Sequence, residues 1–296
     1  MPANRVTVFG GTGFLGRRIV MRLARAGIEV IVAARHARDV AVPEASGKVV
    51  FRRTDVRDDA SLAAALEGAD AAVNAVSLYV ERRGLGFTTI HVEAATRLAR
   101  LAAEKRTGLV HISGIGVDEA SDSAYVRARA RGERAVRETH PGAVALRPSV
   151  LFGPDDAFAS SLAMLARLPL VPLFGHGATR LQPVHVNDVA EAVARVLARD
   201  ITGEVIELGG AGVHRYRELV RAAQQRHGQH HQLLPVPFSL WRALTAPLAV
   251  LPEPPLTRDQ VILMESDNIV GRDATTFARL GIEPRDIVRV SFGDRD

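Results

Sequence analysis

A strand-like run at Val6–Phe9 passes without a break into Gly10-Gly11-Thr12-Gly13-Phe14-Leu15-Gly16, and an apolar-periodic helix follows to Arg25. Glycines at the exit of a first strand allow a tight turn, close approach of backbone to a pyrophosphate, and close packing of helix on strand, with the phosphates facing the helix N-terminus. The spacing predicts a βαβ unit and a dinucleotide on the loop, contacted by Gly10, Gly13, Phe14, Leu15 and Gly16. The alternative is a glycine turn that serves structure alone.

The alternation continues down the chain. Short β-rich runs at Val30–Ala33, Val49–Arg52, Ala71–Asn74, Leu109–Ser113 and Val144–Arg147 are separated by helical spacing, as where Ile90, Ala94, Leu98 and Leu101 share one face. A helix is expected from Ser121, Asp122 or Ser123 to just before Pro141. Past Pro148 the regularity breaks. Residues 153–183 read as Gly/Pro-punctuated loops around one helix at Phe158–Arg167, and a strand at Val184–Val186 leads into a helix capped by Asn187 or Asp188. Val205–Leu208 supplies the last sheet strand. Helical runs at Tyr216–His227, Leu240–Leu248, Arg258–Ser266 and Ala274–Leu280 follow, between joints that include Pro252, Pro254 and Pro255. This order predicts an α/β chain: a doubly wound parallel-sheet Rossmann domain (1–150 and 182–208) with a small, mainly helical C-terminal lobe (151–181 and 209–296).

NAD-binding loops keep a carboxylate after the second strand to hold the ribose 2′-hydroxyl, but this chain has Ala33-Ala34-Arg35-His36 there. Arg35, with Arg17 just past the last glycine, has donors suited to a 2′-phosphate, so NADP(H) is expected ahead of NAD(H). Arginine is common here, 36 of the 38 basic residues, which leaves coincidence as the alternative. Asp55, after the third strand, can accept from an adenine amino group and Val56 can add a backbone contact; helix capping is the plain reading of Asp55. Asn74 and Ala75 stand at the sheet edge where open α/β folds bind ligands, with an Asx turn as the structural alternative for Asn74.

Zero cysteines exclude disulfides, thiolate nucleophiles, zinc-thiolate sites and iron–sulfur clusters. A net charge of +5 is spread along the chain instead of gathered into a patch, and aromatics are sparse, so nucleic acid is not an expected partner. Met1-Pro2-Ala3-Asn4-Arg5 reaches the first strand too soon for a signal peptide, which makes a cytoplasmic protein the expectation. The longest apolar stretch, Leu233–Leu251, contains Pro235, Pro237, Pro247 and Arg242, so no transmembrane segment is expected.

The Gly10/Gly13/Gly16 spacing, Asp55-Val56, Asn74-Ala75, the strand Val110–Ser113, the helix starting near Tyr125 and Leu146-Arg147-Pro148 resemble, in this order, the short-chain dehydrogenase/reductase superfamily in its extended and atypical branches. More narrowly, residues 109–118, 146–154, 182–190 and 255–260 are similar to the subgroup of the NADPH-binding accessory subunit of respiratory complex I and its bacterial relatives. The resemblance implies further dinucleotide contacts from Pro148 and Val150. It also implies a Tyr-x-x-x-Lys pair with a nearby serine. In active members the tyrosine exchanges a proton at the substrate oxygen while hydride moves at the nicotinamide, and the lysine lowers the tyrosine pKa and holds the ribose. A tyrosine near pKa ~10 needs that help at neutral pH.

Here Tyr125-Val126-Arg127-Ala128-Arg129 and Ser113 occupy those places, so the lysine is an arginine; the two lysines, Lys48 and Lys105, stand elsewhere. Tyr125, Arg129 and Ser113 are the candidate catalytic set, and Tyr125 and Arg129 are cofactor contacts as well. Tyr125, Arg129 and Glu133 fall on one helix face, but a planar guanidinium does not replace an ammonium atom for atom. Three functions are therefore open: an accessory or assembly-type NADP(H) binder linked to quinone or respiratory enzymes, an active NADP-dependent oxidoreductase on an apolar carbonyl or quinone-like substrate, and, behind these two, a redox-sensing binder that responds to the NADPH/NADP ratio. Residues 236–251, which carry the only tryptophan, are expected either to pack on the lobe or to meet respiratory-complex subunits or a membrane surface, which would add a peripheral inner-membrane location. His185 and Asp188 read as pocket rim and His111 as a strand histidine. His227, His230 and His231 read as a solvated loop, so no metal is expected.

Overall fold

Seven short runs rich in valine, alanine and isoleucine pair edge to edge, all parallel: β1 (Arg5–Phe9), β2 (Glu29–Ala34), β3 (Val49–Arg53), β4 (Ala71–Asn74), β5 (Gly108–Ile112), β6 (Val144–Pro148) and β7 (Val205–Leu208). Their order is β7-β6-β5-β4-β1-β2-β3. The computed structural model describes residues 3–36, 48–82, 84–248, 254 and 256–292. Pro252, Pro255 and residues 249–251 lie outside the described residues.

Parallel neighbours need crossovers, and the crossing helices bury both faces of the sheet, which is why the strands are apolar on both sides. Val6, Val8, Val30, Val32 and Val73 face α1 (Phe14–Arg25) and, later in the chain, α6 (Val186–Ala198). Phe9, Ala33, Ala72 and Leu109 point the other way, against α2 (Asp59–Ala65), α3 (Ala95–Glu104) and Val136 of α4 (Ala124–Thr139). Each fully buried Val or Leu contributes ~1.5–3 kcal/mol. The strand order reverses between β1 and β4, so the crevice outside their C-terminal ends is the topological switch point where such sheets take ligands.

Two local features shape that crevice. A π-helical segment, Thr88–Ala94, runs straight into α3. Across from it α4 comes so close that a Cβ on Gly132 would overlap the His91 carbonyl. Ser123, of the three candidates, caps α4, its Oγ accepting from Val126 N.

A third apolar cluster lies in the segments after β6: Phe152, Leu162, Val171, Leu173, Tyr216, Leu219 and Ile287, drawn in part from α5 (Ala157–Ala166) and α7 (Tyr216–Arg226). It holds a pair of strands that the sequence pattern hid. Leu170–Phe174 and Gln232–Val236 pair in parallel, with Leu234 opposite Pro172 and Pro235 opposite Leu173. Proline is barred only from central strands, and a two-stranded ribbon has none. The helix after Val184–His185 is capped by His185, whose Nδ1 accepts from Asn187 N at 3.2 Å. Asn187 and Asp188 are therefore not its cap; the Asp188 carboxylate accepts from Arg285 N at 2.8 Å. The remaining helices are α8 (Phe238–Leu248), α9 (Arg258–Leu263) and α10 (Phe277–Leu280). Phe277 and Leu280 of α10 pack into the α1/α6 side of the sheet core.

Candidate functional site

The turn out of β1 is closed by backbone alone. Gly10 sits at φ +75°, a left-handed conformation, and a Cβ on it would lie 2.8 Å from the Ala75 carbonyl oxygen. Gly13 N donates to Gly10 O at 2.9 Å, and a side chain on Gly16 would overlap Gly10. The first turn of α1 has no side-chain cap and no acidic residue. By contrast α2, α4, α5, α9 and α10 are capped by Asp58, Ser123, Asp156, Thr257 and Thr276. The N–H groups that every helix leaves over are therefore open at the N-terminus of α1, beside the switch point, and the residues present fit a pyrophosphate. Phe14 is half-buried and Leu15 is buried against the sheet, so what they can offer is main chain.

Around this loop Arg17 and Asp55 have internal partners. Arg17 lies with its guanidinium 5.7 Å over the Phe14 ring and pairs with Asp155 at 3.4 Å. Arg35 is exposed at the end of β2 and adds its positive charge to the surroundings of Asp55. Asp55 takes the fork of Arg57, with Nη2 at 2.7 Å, and that hydrogen bond brings its pKa down to about 2 against a smaller opposing effect of burial. Val56 packs against the α2/α3 cluster. Asn74 is buried; its Oδ1 accepts from Val76 N at 3.2 Å, an Asx turn, and its Nδ2 meets His111 Nδ1 at 3.2 Å. Ala75 donates to Phe9 O and forms the wall that Gly10 approaches.

Further along the crevice the helix face Tyr125/Arg129/Glu133 meets β5. Arg129 is only 9% exposed. Its Nη1 donates to Ser77 Oγ and its Nη2 to Ile112 O, both at 3.2 Å, and its guanidinium lies 5.5 Å from the Tyr125 ring centre. Among the described residues no carboxylate stands within ion-pair distance of it; Glu133, one turn on, is taken by Arg147 at 2.6 Å. Tyr125 packs its ring against Phe87, Tyr79 and His91, at 5.5 to 5.7 Å between centres. Burial pushes its pKa up, while Arg129, by charge and hydrogen bonding, and Ser77 pull the other way without reversing the shift. Ser113 Oγ is buried and meets no hydrogen-bond partner, although it lies near enough to Glu133 to favour the carboxylate form. An orphaned buried hydroxyl beside a tyrosine helix is the polar atom a ligand would complete.

Pro148 O accepts from Ile115 N at 3.1 Å, and Val150 N donates to Asn268 Oδ1 at 3.0 Å. Ser77 and Asn268 belong to this site without having been singled out from sequence. Ser77 carries no motif, and Asn268 is 118 residues from the atom it holds. Asp188 lines the cleft between α1, α6 and residues 281–285, and His185 accepts from Arg285 Nη1 at 2.9 Å. Among the described residues no three His, Asp or Glu side chains gather as a metal set.

Known proteins resemble this chain in sequence and in fold. The chain is 31% identical, over 94% of its own length and 74% of the relative's, to NADH dehydrogenase [ubiquinone] 1 alpha subcomplex subunit 9, mitochondrial, of Arabidopsis thaliana. It is 28% identical over 78% of its length, and 73% of the relative's, to a ceramide reductase of Caulobacter vibrioides. Among solved structures it superposes on a dTDP-glucose 4,6-dehydratase from Streptomyces venezuelae, with NAD and TYD bound, at a TM-score of 0.66 and 26% identity, covering 79% of this chain and 84% of that one. The expected likeness to the complex I accessory subunit is thus found across the whole chain and not in motifs alone. Residues 6–209 match in one piece, from β1 to the end of β7, and the chain belongs to the NAD dependent epimerase/dehydratase family.

Proposed function

We propose that this protein is an NADP(H)-binding accessory or assembly-type factor linked to quinone or respiratory enzymes, in which the dinucleotide stabilises the fold and is not turned over. The observation that carries this reading is the state of Arg129. Both terminal nitrogens are engaged by Ser77 and Ile112, and the Tyr125 pKa is raised, so the tyrosine stays neutral and is a poor base. The relative from Arabidopsis thaliana, named as a complex I subunit, supports the same direction.

The Gly10–Gly16 main chain would hold the pyrophosphate, Arg17 and Arg35 the 2′-phosphate, Asp55 and Val56 the adenine, and Asn74, Ala75, Ser113, Tyr125, Arg129, Pro148 and Val150 the nicotinamide side. When bound, the nicotinamide supplies hydride-transfer capacity. Arg17 and Asp55 would have to leave Asp155 and Arg57 to make these contacts; both pairs are exposed and so weakly held. The lobe (151–181 and 209–296) would close over the C-terminal strand edges. Its helix α8 exposes Leu240 and Leu244, each 49% accessible, while Trp241 Nε1 donates inward to Leu173 O, so the outer stripe is free to meet a respiratory partner or a membrane surface. No helix among the described residues is long and apolar enough to cross a membrane. A cytoplasmic protein peripheral to the inner membrane fits these features.

The second reading, an active reductase with Arg129 in place of lysine, is favoured by the orphaned Ser113 hydroxyl and by the likeness to a ceramide reductase. Arg129→Lys separates the two. The native protein is expected to show no hydride exchange with carbonyl or quinone panels and the variant a measurable rate; a native rate that collapses in the variant sinks the accessory reading. For the cofactor, Arg35→Asp is expected to reverse the preference for NADPH over NADH, shifting the affinity ratio by about a hundredfold through loss of a charge-assisted pair and gain of repulsion. An unchanged ratio removes Arg35 from the 2′-phosphate.

A further inference from the structure

Residues 257–268 lie beyond the family match yet hold the site through several hydrogen bonds. Asn268 is a hub. Its Oδ1 accepts from Ser149 Oγ at 2.6 Å and from Val150 N at 3.0 Å, and its Nδ2 donates to Ile115 O at 3.2 Å. Its carbonyl accepts from Gln182 N at 3.0 Å and its own N–H donates to Arg180 O at 2.8 Å. One side chain therefore ties the loop after β6 to the loop after β5.

Nine residues earlier Asp259, in the first turn of α9, reaches the other half of the site. Its Oδ1 accepts from Ser123 Oγ at 2.5 Å and lies 3.5 Å from Tyr125 N. Ser123 is the cap of α4, the helix that carries Tyr125 and Arg129, so a lobe carboxylate seats the N-terminus of that helix and complements its dipole. The same stretch is fastened to α8 by the Arg242–Glu265 pair, Nε to Oε1 at 2.8 Å, and to residues 179–180 by Thr179 Oγ1 on Met264 O and by Arg180 on Asp267.

We infer that Asn268 and Asp259 are positioning residues that couple dinucleotide binding to the order of the lobe bearing α8 and its exposed Leu240 and Leu244. The inference rests on the dinucleotide reading above. The groups they hold, Val150, Ser149 beside Pro148, and the start of the Tyr125 helix, are the nicotinamide-side contacts of that reading. A ligand that steadies those groups steadies 257–268, and through Glu265 steadies α8. Linkage makes the effect reciprocal: whatever orders α8 tightens the nucleotide by the same factor. The partner-facing surface thereby reports whether the nucleotide is bound.

The test is hydrogen–deuterium exchange of the full chain with and without NADPH, beside NADPH titrations followed by its fluorescence. In the native protein NADPH is expected to slow exchange in 238–248 and 257–263 by at least about fivefold. Asn268→Ala is expected to weaken NADPH about tenfold and abolish that protection. Asn268→Asp, which keeps the acceptor for Ser149 Oγ and Val150 N but loses the donor to Ile115 O, is expected to recover part of the NADPH affinity lost in Asn268→Ala, a partial rescue that general loss of packing would not allow. Asp259→Asn gives an independent reading should Asn268→Ala fail to fold. A native protein that binds no NADPH overturns the dinucleotide reading and the coupling together. A native protein that binds NADPH without protecting 257–263, or variants that bind and protect as the native chain does, overturns the coupling alone.

Discussion

Lowering the pH from 7 to 4.5 is expected to cost this fold about 3–5 kcal/mol through His91 and His111, the largest pH effect the site predicts. Both are buried, 6% and 7% exposed, and desolvation, aided by the positive charge of Arg129, lowers their pKa values from 6.5 to about 3 and about 4. The folded chain keeps them neutral while the unfolded chain protonates them. Their contribution is thus fully present above pH 6.5, falls as the pH drops, and levels off near pH 4 for His111 and pH 3 for His91. Urea unfolding from pH 7.5 to 4.5 reads this directly. His111→Asn and His91→Asn should each be less stable than the native chain at pH 7.5, because each loses its link to Asn74 or Leu78, and should each show roughly half the native decline toward acid. If both variants keep the native slope, the histidines are not its source.

Glu133→Ala should destabilise the protein by about 3–4 kcal/mol, the cost of leaving one partner of a buried ion pair behind. Glu133 is 3% exposed and takes Arg147 through Nε at 2.9 Å and Nη2 at 2.6 Å. Its removal leaves Arg147 only Glu207 at 3.4 Å and strips Ser113 of the one carboxylate near its hydroxyl. Glu133→Gln, which keeps the volume and one acceptor, should cost less, about 1–3 kcal/mol. An alanine variant within 1 kcal/mol of the native chain would mean that Arg147 finds water or Glu207 instead. Functionally, Glu133 does not neutralise Arg129, so its loss should leave the electrostatics at Tyr125 nearly unchanged.

How far the site could be read from the chain depended on whether its chemistry was local. The glycine turn was legible because two close approaches, Gly10 to Ala75 and Gly16 to Gly10, each forbid a side chain, and a Cβ on Gly13 would crowd the Gly10 carbonyl. The inner strands β1, β2, β4, β5 and β6 were legible because double burial leaves nearly continuous apolar runs. The ribbon of 170–174 and 232–236 was not, since its prolines look like breaks when pairing is invisible. The cap of α6 lies two or three residues before the expected ones, because histidine is an unusual cap and Asn187 and Asp188 are common ones. Asn74 shows the limit from the other side: the Asx turn and the ligand-edge position were both inferred, and the turn uses Oδ1 while the position remains at the edge.

The sequence by itself determined the doubly wound sheet, the place of the glycine turn and the arginine at position 129, because periodicity, glycine spacing and residue identity are written in order along the chain. Only the tertiary structure decided what Arg129 does there, where its donors go to Ser77, 52 residues away, and to Ile112, 17 residues away. It also decided that residues 257–268 of the lobe hold the site's own loops. Hydrogen bonds to main-chain carbonyls and between distant loops leave no composition or spacing to read. They exist only once burial has removed water and each polar atom has had to find a partner.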